Sequence, residues 1–551
     1  MMIDSSPPRT RRHRPPARLL VAALAAVTLG LSACGSGSDG GSTDDANAGS
    51  DAAAVRGGTL TLAVGADPIS LNPQGGGSGT DPMGANLVDT LTAQDPKTGK
   101  LRPWLAREWT VNDNATQFTF TLREGVTFSD GSALTAEVFK QNFDDIVKNG
   151  AKADSAIAQF LGYDRTTVVD RDTFRVEFKQ PNVAFLQATS TKALGPLAPA
   201  TLALPFEDRA RKVIGTGPFV LDHYTPKSEV VLTKRAGYAW PAPTRTNTGE
   251  AYLDKVIFRI VPEASVRTGS LVSGQIAGIV DVPPQDTDTL RGRGFQLLTR
   301  ANPGIPLSLY TNVSHRPLDE VRVRRAIARA LDPEQVRAAA LSSDFKVATS
   351  SLSATTPGWT DLSEQIKRDR DEAGRLLDEA GWRRGPDGIR QKDGRRLALT
   401  LGYAPFFAPS QTAVEEIQVQ LREVGIGVDL QLLTNPSIPA GQTAGYYDLT
   451  FGNQSRADAD LLRTTFSTEG TNAYRLADPE LERLLQDQRA AADPTNRDKI
   501  LAQLQRRLVD QSYLIPLIEF TTVIATAKDV HGVSQGADSR IAPLNDVFLT
   551  H

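Results

Sequence analysis

Leu397-Ala398-Leu399-Thr400-Leu401-Gly402-Tyr403 sets large apolar side chains at every second position, the period of a half-buried strand. Downstream, Thr412-Ala413-Val414-Glu415 has the form of a capping box, in which a hydroxyl and a carboxylate satisfy the free N–H groups at a helix start. Val414, Ile417, Leu421 and Val424 then recur at helical spacing, and Gly425 stands where a helix end favours left-handed backbone. Ile426, Val428, Leu430 and Leu432 alternate again. Strand, helix and strand in this order make a βαβ unit, and its two strands must run parallel. Ligands of such sheets gather at the carboxyl ends of the strands. Those ends are residues 403–409 and, after a further strand at 448–451, residues 452–460.

The same logic extends to the first half of the chain. Thr59 to Val64 reads as a strand, 256–261 as another, and 279–282 as a third after a helical stretch near 265–273. A second set of strand ends therefore falls at 65–73, which includes Asn72, and at 283–285. Between these lies a different pattern. Phe118, Phe120 and Leu122 alternate, Val126 and Phe128 alternate, Ser129-Asp130-Gly131 supplies a turn, and 171–178 reads as one more strand. The simplest organisation is an α/β chain with an antiparallel insert.

The N-terminus reads as a secretory signal: five arginines between Arg9 and Arg18, then an apolar run of 13 residues from Leu19 to Leu31. A comfortable membrane span needs about 20 residues. Cys34, the single cysteine of the 551 residues, closes Leu31-Ser32-Ala33-Cys34, which resembles the lipobox of bacterial lipoproteins. That resemblance implies a signal peptide over 1–33, acylation of Cys34, and a lipid anchor on the extracytoplasmic face of the cell membrane. Residues 34–57 are mostly Gly, Ser, Asp and Ala, too poor in apolar surface to offset their ordering entropy, so they read as a flexible tether. Removing 1–33 takes away five Arg and one Asp, leaving 56 basic against 63 acidic residues, a balance of −7. A mildly acidic body without a basic run argues against a nucleic-acid partner.

Several blocks then occur in order. They are Gly57-Gly58-Thr59-Leu60 leading to Ser70-Leu71-Asn72-Pro73; Pro103-Trp104-Leu105-Ala106 with Trp109; and Leu122-Arg123-Glu124-Gly125-Val126-Thr127-Phe128-Ser129-Asp130-Gly131. Gly215-Thr216-Gly217-Pro218-Phe219 follows, then 317–327 with Ala330-Leu331-Asp332, and Leu376-Leu377-Asp378-Glu379-Ala380-Gly381-Trp382. Together they resemble the extracellular solute-binding proteins of peptide and nickel ABC importers, solute-binding protein family 5, over nearly the whole length after the leader. Each block also reads as a turn, a strand start or a helix end, so the blocks speak for architecture rather than for a site.

The resemblance implies a two-lobed periplasmic-binding-protein-like fold of type II, in the large peptide-binding class. Lobe 1 would hold 58–305 plus 516–551 with the antiparallel subdomain inserted at about 85–210, and lobe 2 would hold 306–515. The hinges would fall near 303–306 and 515–517. It further implies a monomeric receptor that encloses an oligopeptide or peptide-like solute and delivers it to ABC permease subunits, with no cofactor. In peptide-binding members an aspartate just after a lobe 2 strand takes the ligand's ammonium group, and Asp458, in Gln454-Ser455-Arg456-Ala457-Asp458-Ala459-Asp460, matches that position best. Two readings stand for it: an ammonium clamp flanked by Ser455 and Arg456, or a solvated turn or internal ion pair. The dipeptide-specific branch places an arginine in the loop that here reads Tyr403-Ala404-Pro405-Phe406-Phe407-Ala408-Pro409. None is present, so strict dipeptide selection is not expected. Phe406 and Phe407 would instead form an apolar or stacking wall, or serve as core residues of the loop, and Tyr403 at its start is a further expected contact. Asn72 completes the expected contacts.

Other classes find less support. His223, His315, His531 and His551 are not spaced as a metal cluster, so no metal site is expected, although a metal chelate or an oligosaccharide remains an alternative solute. A secreted zinc hydrolase would need a signature such as His-Glu-x-x-His, which the chain lacks. Paired acids for glycoside cleavage are invisible to sequence. A repurposed surface protein is the other competing class; enzyme activity is not expected.

Overall fold

The computed structural model describes residues 54–68, 70–75, 81–404, 407, 409–434 and 445–550. Cys34, the signal segment, most of the tether and Phe406 lie outside the described residues. In chain order the strands that build the main sheets are β1 (Thr59–Val64), β2 (Ala106–Val111), β3 (Gln117–Leu122), β4 (Tyr163–Val168), β5 (Thr173–Phe178), β6 (Phe219–Thr225), β7 (Glu229–Lys234) and β8 (Lys255–Ile260). They continue as β9 (Gly278–Ile279), β10 (Gln296–Ala301), β11 (Gly304–Thr311), β12 (Ala398–Tyr403), β13 (Gly427–Leu432), β14 (Leu449–Ser455), β15 (Leu514–Ile518) and β16 (Thr521–Thr526).

Among the described residues these form a seven-stranded sheet in the order β10-β16-β9-β1-β8-β7-β6, a five-stranded sheet β13-β12-β14-β11-β15, and a four-stranded sheet β2-β3-β5-β4. In the seven-stranded sheet β1 runs parallel to both β8 and β9, and the outer pairs are antiparallel. In the five-stranded sheet β12 is parallel to β13, with Ala398 opposite Gly427 and Tyr403 opposite Leu432, and parallel to β14. The expected βαβ unit is therefore present. Its helix, Ser410–Glu423, starts ahead of the expected capping box: Pro409 is the N-cap residue, and Thr412 lies inside the first turn. Gly425 has φ +89° and closes the helix, its N–H donating to Arg422 O.

The four-stranded sheet is wholly antiparallel, and helix Ala136–Asn149 contributes Phe139 and Phe143 to its core. Phe118, Phe120, Phe139, Phe143, Phe174 and Phe185 are fully buried there, with rings in edge and stacked contacts at 5–6.5 Å. Aromatic alternation on β3 and β5 is what makes this insert a sandwich of sheet and helix. Two sequence expectations were too generous. Val126 and Phe128 belong to a turn closed by a single bridge between Thr127 and Ala133, and the strand expected at 279–282 ends at Ile279.

The chain passes between the seven- and five-stranded sheets twice, at Asn302-Pro303 and at Glu519-Phe520. The two crossings touch: Asn302 N–H donates to Phe520 O at 2.6 Å, and Thr522 Oγ1 donates to Asn302 Oδ1 at 2.8 Å. The expected return at 515–517 lies inside β15, whose residues pair with β11, so the change of sheet comes after Ile518. Just beyond the first crossing Gly304 has φ +115°, and a Cβ there would sit 2.2 Å from Gln454 O. No other residue fits that approach of β11 to β14.

Glu519, at the second crossing, is 3% exposed. Ala354 N–H donates to Oε1, while Oε2 has no partner among the described residues. Burial pushes this carboxyl up from 4.5 to about 7, with Ser353 and Ala354 pulling weakly the other way. A folded value above the unfolded one gives stability that is fully present below the unfolded pKa and is lost as pH rises through the folded pKa, here about 7. Glu519→Gln should flatten the fall in melting temperature between about pH 5 and pH 8, with the gain at the alkaline end. An unchanged slope in scanning calorimetry would refute this assignment.

Candidate functional site

Two adjoining cavities lie where the sheets face each other. The larger, about 720 Å³, is walled on one side by Arg267 of helix Ala264–Val272, residues 281–285 beyond β9, residues 521–523 of β16, Asp538 and Arg540. Its other wall is Phe345, Phe407, Pro409, Asn453, Ser455, Arg456 and Ala457. The second, about 420 Å³, runs from the antiparallel insert, with Gln94, Trp104, Gln187 and Lys192, to the same Ser455-Arg456-Ala457 stretch and Asp538. Ser455, Arg456, Ala457 and Asp538 line both cavities, so one continuous cleft bends around them.

The strand-end rule found half of this surface. Residues 283–285 and Asn453, Ser455, Arg456 and Ala457 line the cleft as expected. The strand before the latter is longer than the sequence suggested, since β14 runs to Ser455, paired with Gly304 of β11. Arg456 then turns away, its N–H donating to Pro303 O at 3.0 Å.

The other expected contacts divide. Phe407 lines the cleft and packs against Phe345 and Phe520, with ring centres 6.1 and 5.0 Å away. Tyr403 is buried within the hydrophobic core of the five-stranded sheet and lines neither cavity. Asn72 is fully buried in a turn, its Oδ1 accepting from Gln74 N–H, and its neighbour Pro73 reaches the second cavity instead.

Asp458 is 5% exposed and faces away from the cavities into the protein. Arg497, on helix Pro494–Asp510, holds it through two bonds, Nη1 to Oδ2 at 2.9 Å and Nη2 to Oδ1 at 2.6 Å. Arg497 also donates to Gln488 Oε1, Gln488 donates to Asp460 Oδ1 at 2.7 Å, and Arg463 grips Asp460 at 2.8 Å through both Nε and Nη2. Burial acts to raise the Asp458 carboxyl, but the Arg497 guanidinium outweighs it and holds the group below its ordinary value. Of the two sequence readings, the internal ion pair describes this carboxylate. An ammonium ligand would have to displace a bidentate guanidinium. Asp458→Asn should cost about 3–5 kcal/mol of stability by leaving Arg497 buried without its counter-charge. Denaturant unfolding checks it; unaltered stability with weakened solute binding would restore the clamp.

Sequence reasoning missed Asp281, Asp538 and Arg540. They sit in irregular segments without periodicity. Arg540 lies 3.9 Å from Asp281, and Asp538 is exposed, accepting the Arg540 N–H. Lys192, in the second cavity, is pushed down to about 8 by burial, with Asp538 opposing that shift.

Two sheet-based lobes joined by a paired crossing, with a cleft between them, have the architecture of a two-lobed periplasmic binding protein. Residues 100–473, more than half of the chain, match the family model "Bacterial extracellular solute-binding proteins, family 5 Middle", and the chain belongs to that family. It is 26% identical to the probable D,D-dipeptide-binding periplasmic protein DdpA of Escherichia coli K12, over 87% of this chain and 92% of that one. It is 24% identical to the nickel-binding periplasmic protein of the same organism, over 79% and 84%. Among solved structures, NikA of Brucella suis in complex with Fe(III)-EDTA superposes with TM-score 0.77 at 24% identity, covering 90% of this chain and all of that one. The chain is thus a substrate-binding protein of ABC import, a transport-associated binding protein and not an enzyme. Among the described residues no helix is long and apolar enough to cross a membrane.

Proposed function

We propose that this chain is a lipid-anchored receptor that captures a peptide-like solute between two lobes and hands it to the permease of an ABC importer. In this reading lobe 1 comprises the seven-stranded sheet and the antiparallel insert, and lobe 2 comprises the five-stranded sheet and its helices. The boundaries are the crossings at Asn302-Pro303 and Glu519-Phe520. Cys34 carries the lipid, the segment after it is the tether, and the receptor works as a monomer.

The observation that carries the proposal is the bent cleft itself, with cavities of about 720 and 420 Å³ meeting at Ser455-Arg456-Ala457 and Asp538. That space suits an organic molecule of several residues rather than a bare metal ion, since pockets for small molecules run from about 300 to 1,000 Å³. The likeness to a D,D-dipeptide-binding relative points the same way. Contacts from both walls make the closed form the tighter binder, and that difference drives closure.

The test is a thermal-shift screen of the purified full-length chain against peptide mixtures, oligosaccharides and metal chelates, with native mass spectrometry for any co-purified solute. A solute at 100 times its dissociation constant should add about 2.7 kcal/mol to stability, visible as a raised melting temperature. Stabilisation by sugars or chelates but not peptides would replace the solute class, and no stabilisation by any of them would count against the receptor reading.

A further inference from the structure

The wall of the cleft contributed by β14 and the turn after it presents a cation where the family resemblance suggested an anion. Arg456 is half-buried at the neck where the two cavities meet. Its only side-chain hydrogen bond among the described residues is a long one, from Nη1 to Thr464 Oγ1 at 3.4 Å. No carboxylate of the described residues lies within ion-pair distance of it. Asp458, which also feels the Arg456 charge, gives both oxygens to Arg497, and Asp460 gives both to Arg463. The turn is held from beneath by this closed network and by the Arg456 N–H bond to Pro303 O.

We propose that Arg456 is a specificity-determining residue that binds a carboxylate of the solute, so that the cleft selects acidic or free-carboxyl peptide-like molecules. The inference rests on the receptor reading above. A guanidinium offers a planar fork of donors that matches a carboxylate with two parallel bonds. In a closing, water-poor cleft that pairing strengthens. Asp538, exposed across the neck, lines both cavities as well, but it already accepts the Arg540 N–H and its charge acts on Lys192 and Arg300, so the cation that faces solute is Arg456.

The test uses the full-length chain and two mixtures of random tripeptides, identical except that one has free C-terminal carboxylates and the other C-terminal amides. Melting temperature and native mass spectrometry are read for the parent, Arg456→Gln and Arg456→Lys. The free-acid mixture should stabilise the parent and the amide mixture should not. Arg456→Gln should melt like the parent without solute and bind the enriched free-acid peptides roughly tenfold to a hundredfold more weakly, with Arg456→Lys recovering part of the loss. Equal stabilisation by both mixtures, unchanged in Arg456→Gln, would overturn the role of Arg456 and leave the receptor intact. Stabilisation by neither would overturn the peptide-receptor reading and this inference with it.

Discussion

The molecule is organised by a double crossing: the polypeptide leaves the seven-stranded sheet at Asn302-Pro303, builds the five-stranded sheet, and returns at Glu519-Phe520. The two passes are tied by a 2.6 Å bond between Asn302 N–H and Phe520 O. With both links at one place, two α/β bodies face each other across a cleft whose walls are fixed by strand ends. Gly304, which lets β11 approach β14 within a distance no side chain tolerates, brings the turn at Arg456 against the first crossing. The site is thereby tied to the first crossing.

Electrostatics beneath the site divides its charges into two groups. Asp458, Arg497, Gln488, Asp460 and Arg463 satisfy one another inside the protein, where an unmatched charge would be costly. Arg456, whose charge also acts on Asp458, and Asp538, whose charge acts on Lys192 and Arg300, line the cavities. The internal network holds the turn, and in the proposed receptor Arg456 is the cation left to meet solute. Preorganisation of this kind reduces what binding must spend on ordering.

The sequence made the fold legible where periodicity was strong. The alternation of Leu397 to Tyr403, the helical spacing of Val414 to Val424 and the alternation after Gly425 gave a parallel pair that the register bears out. It failed where pairing, not pattern, makes the strand: Asn453, Gln454 and Ser455 are polar, yet all three extend β14, with Ile305 and Gly304 opposite Gln454 and Ser455. The candidate site was legible only as strand ends. Nothing local distinguishes Asp458 as internal, because its partner Arg497 lies 39 residues away on a helix. Tyr403 faces the core by the parity of its strand, and Asp538 and Arg540 occupy a segment whose placement depends on the whole C-terminal return.

The central claim is that solute is held by both bodies at once, and a crystal structure of the chain with a solute recovered from native mass spectrometry tests it most directly. The account predicts density at the neck of the cleft, touching Ser455-Arg456-Ala457 on one side and residues 283–285 or Asp538 on the other. Density confined to one wall, or bound elsewhere on the molecule, would contradict it.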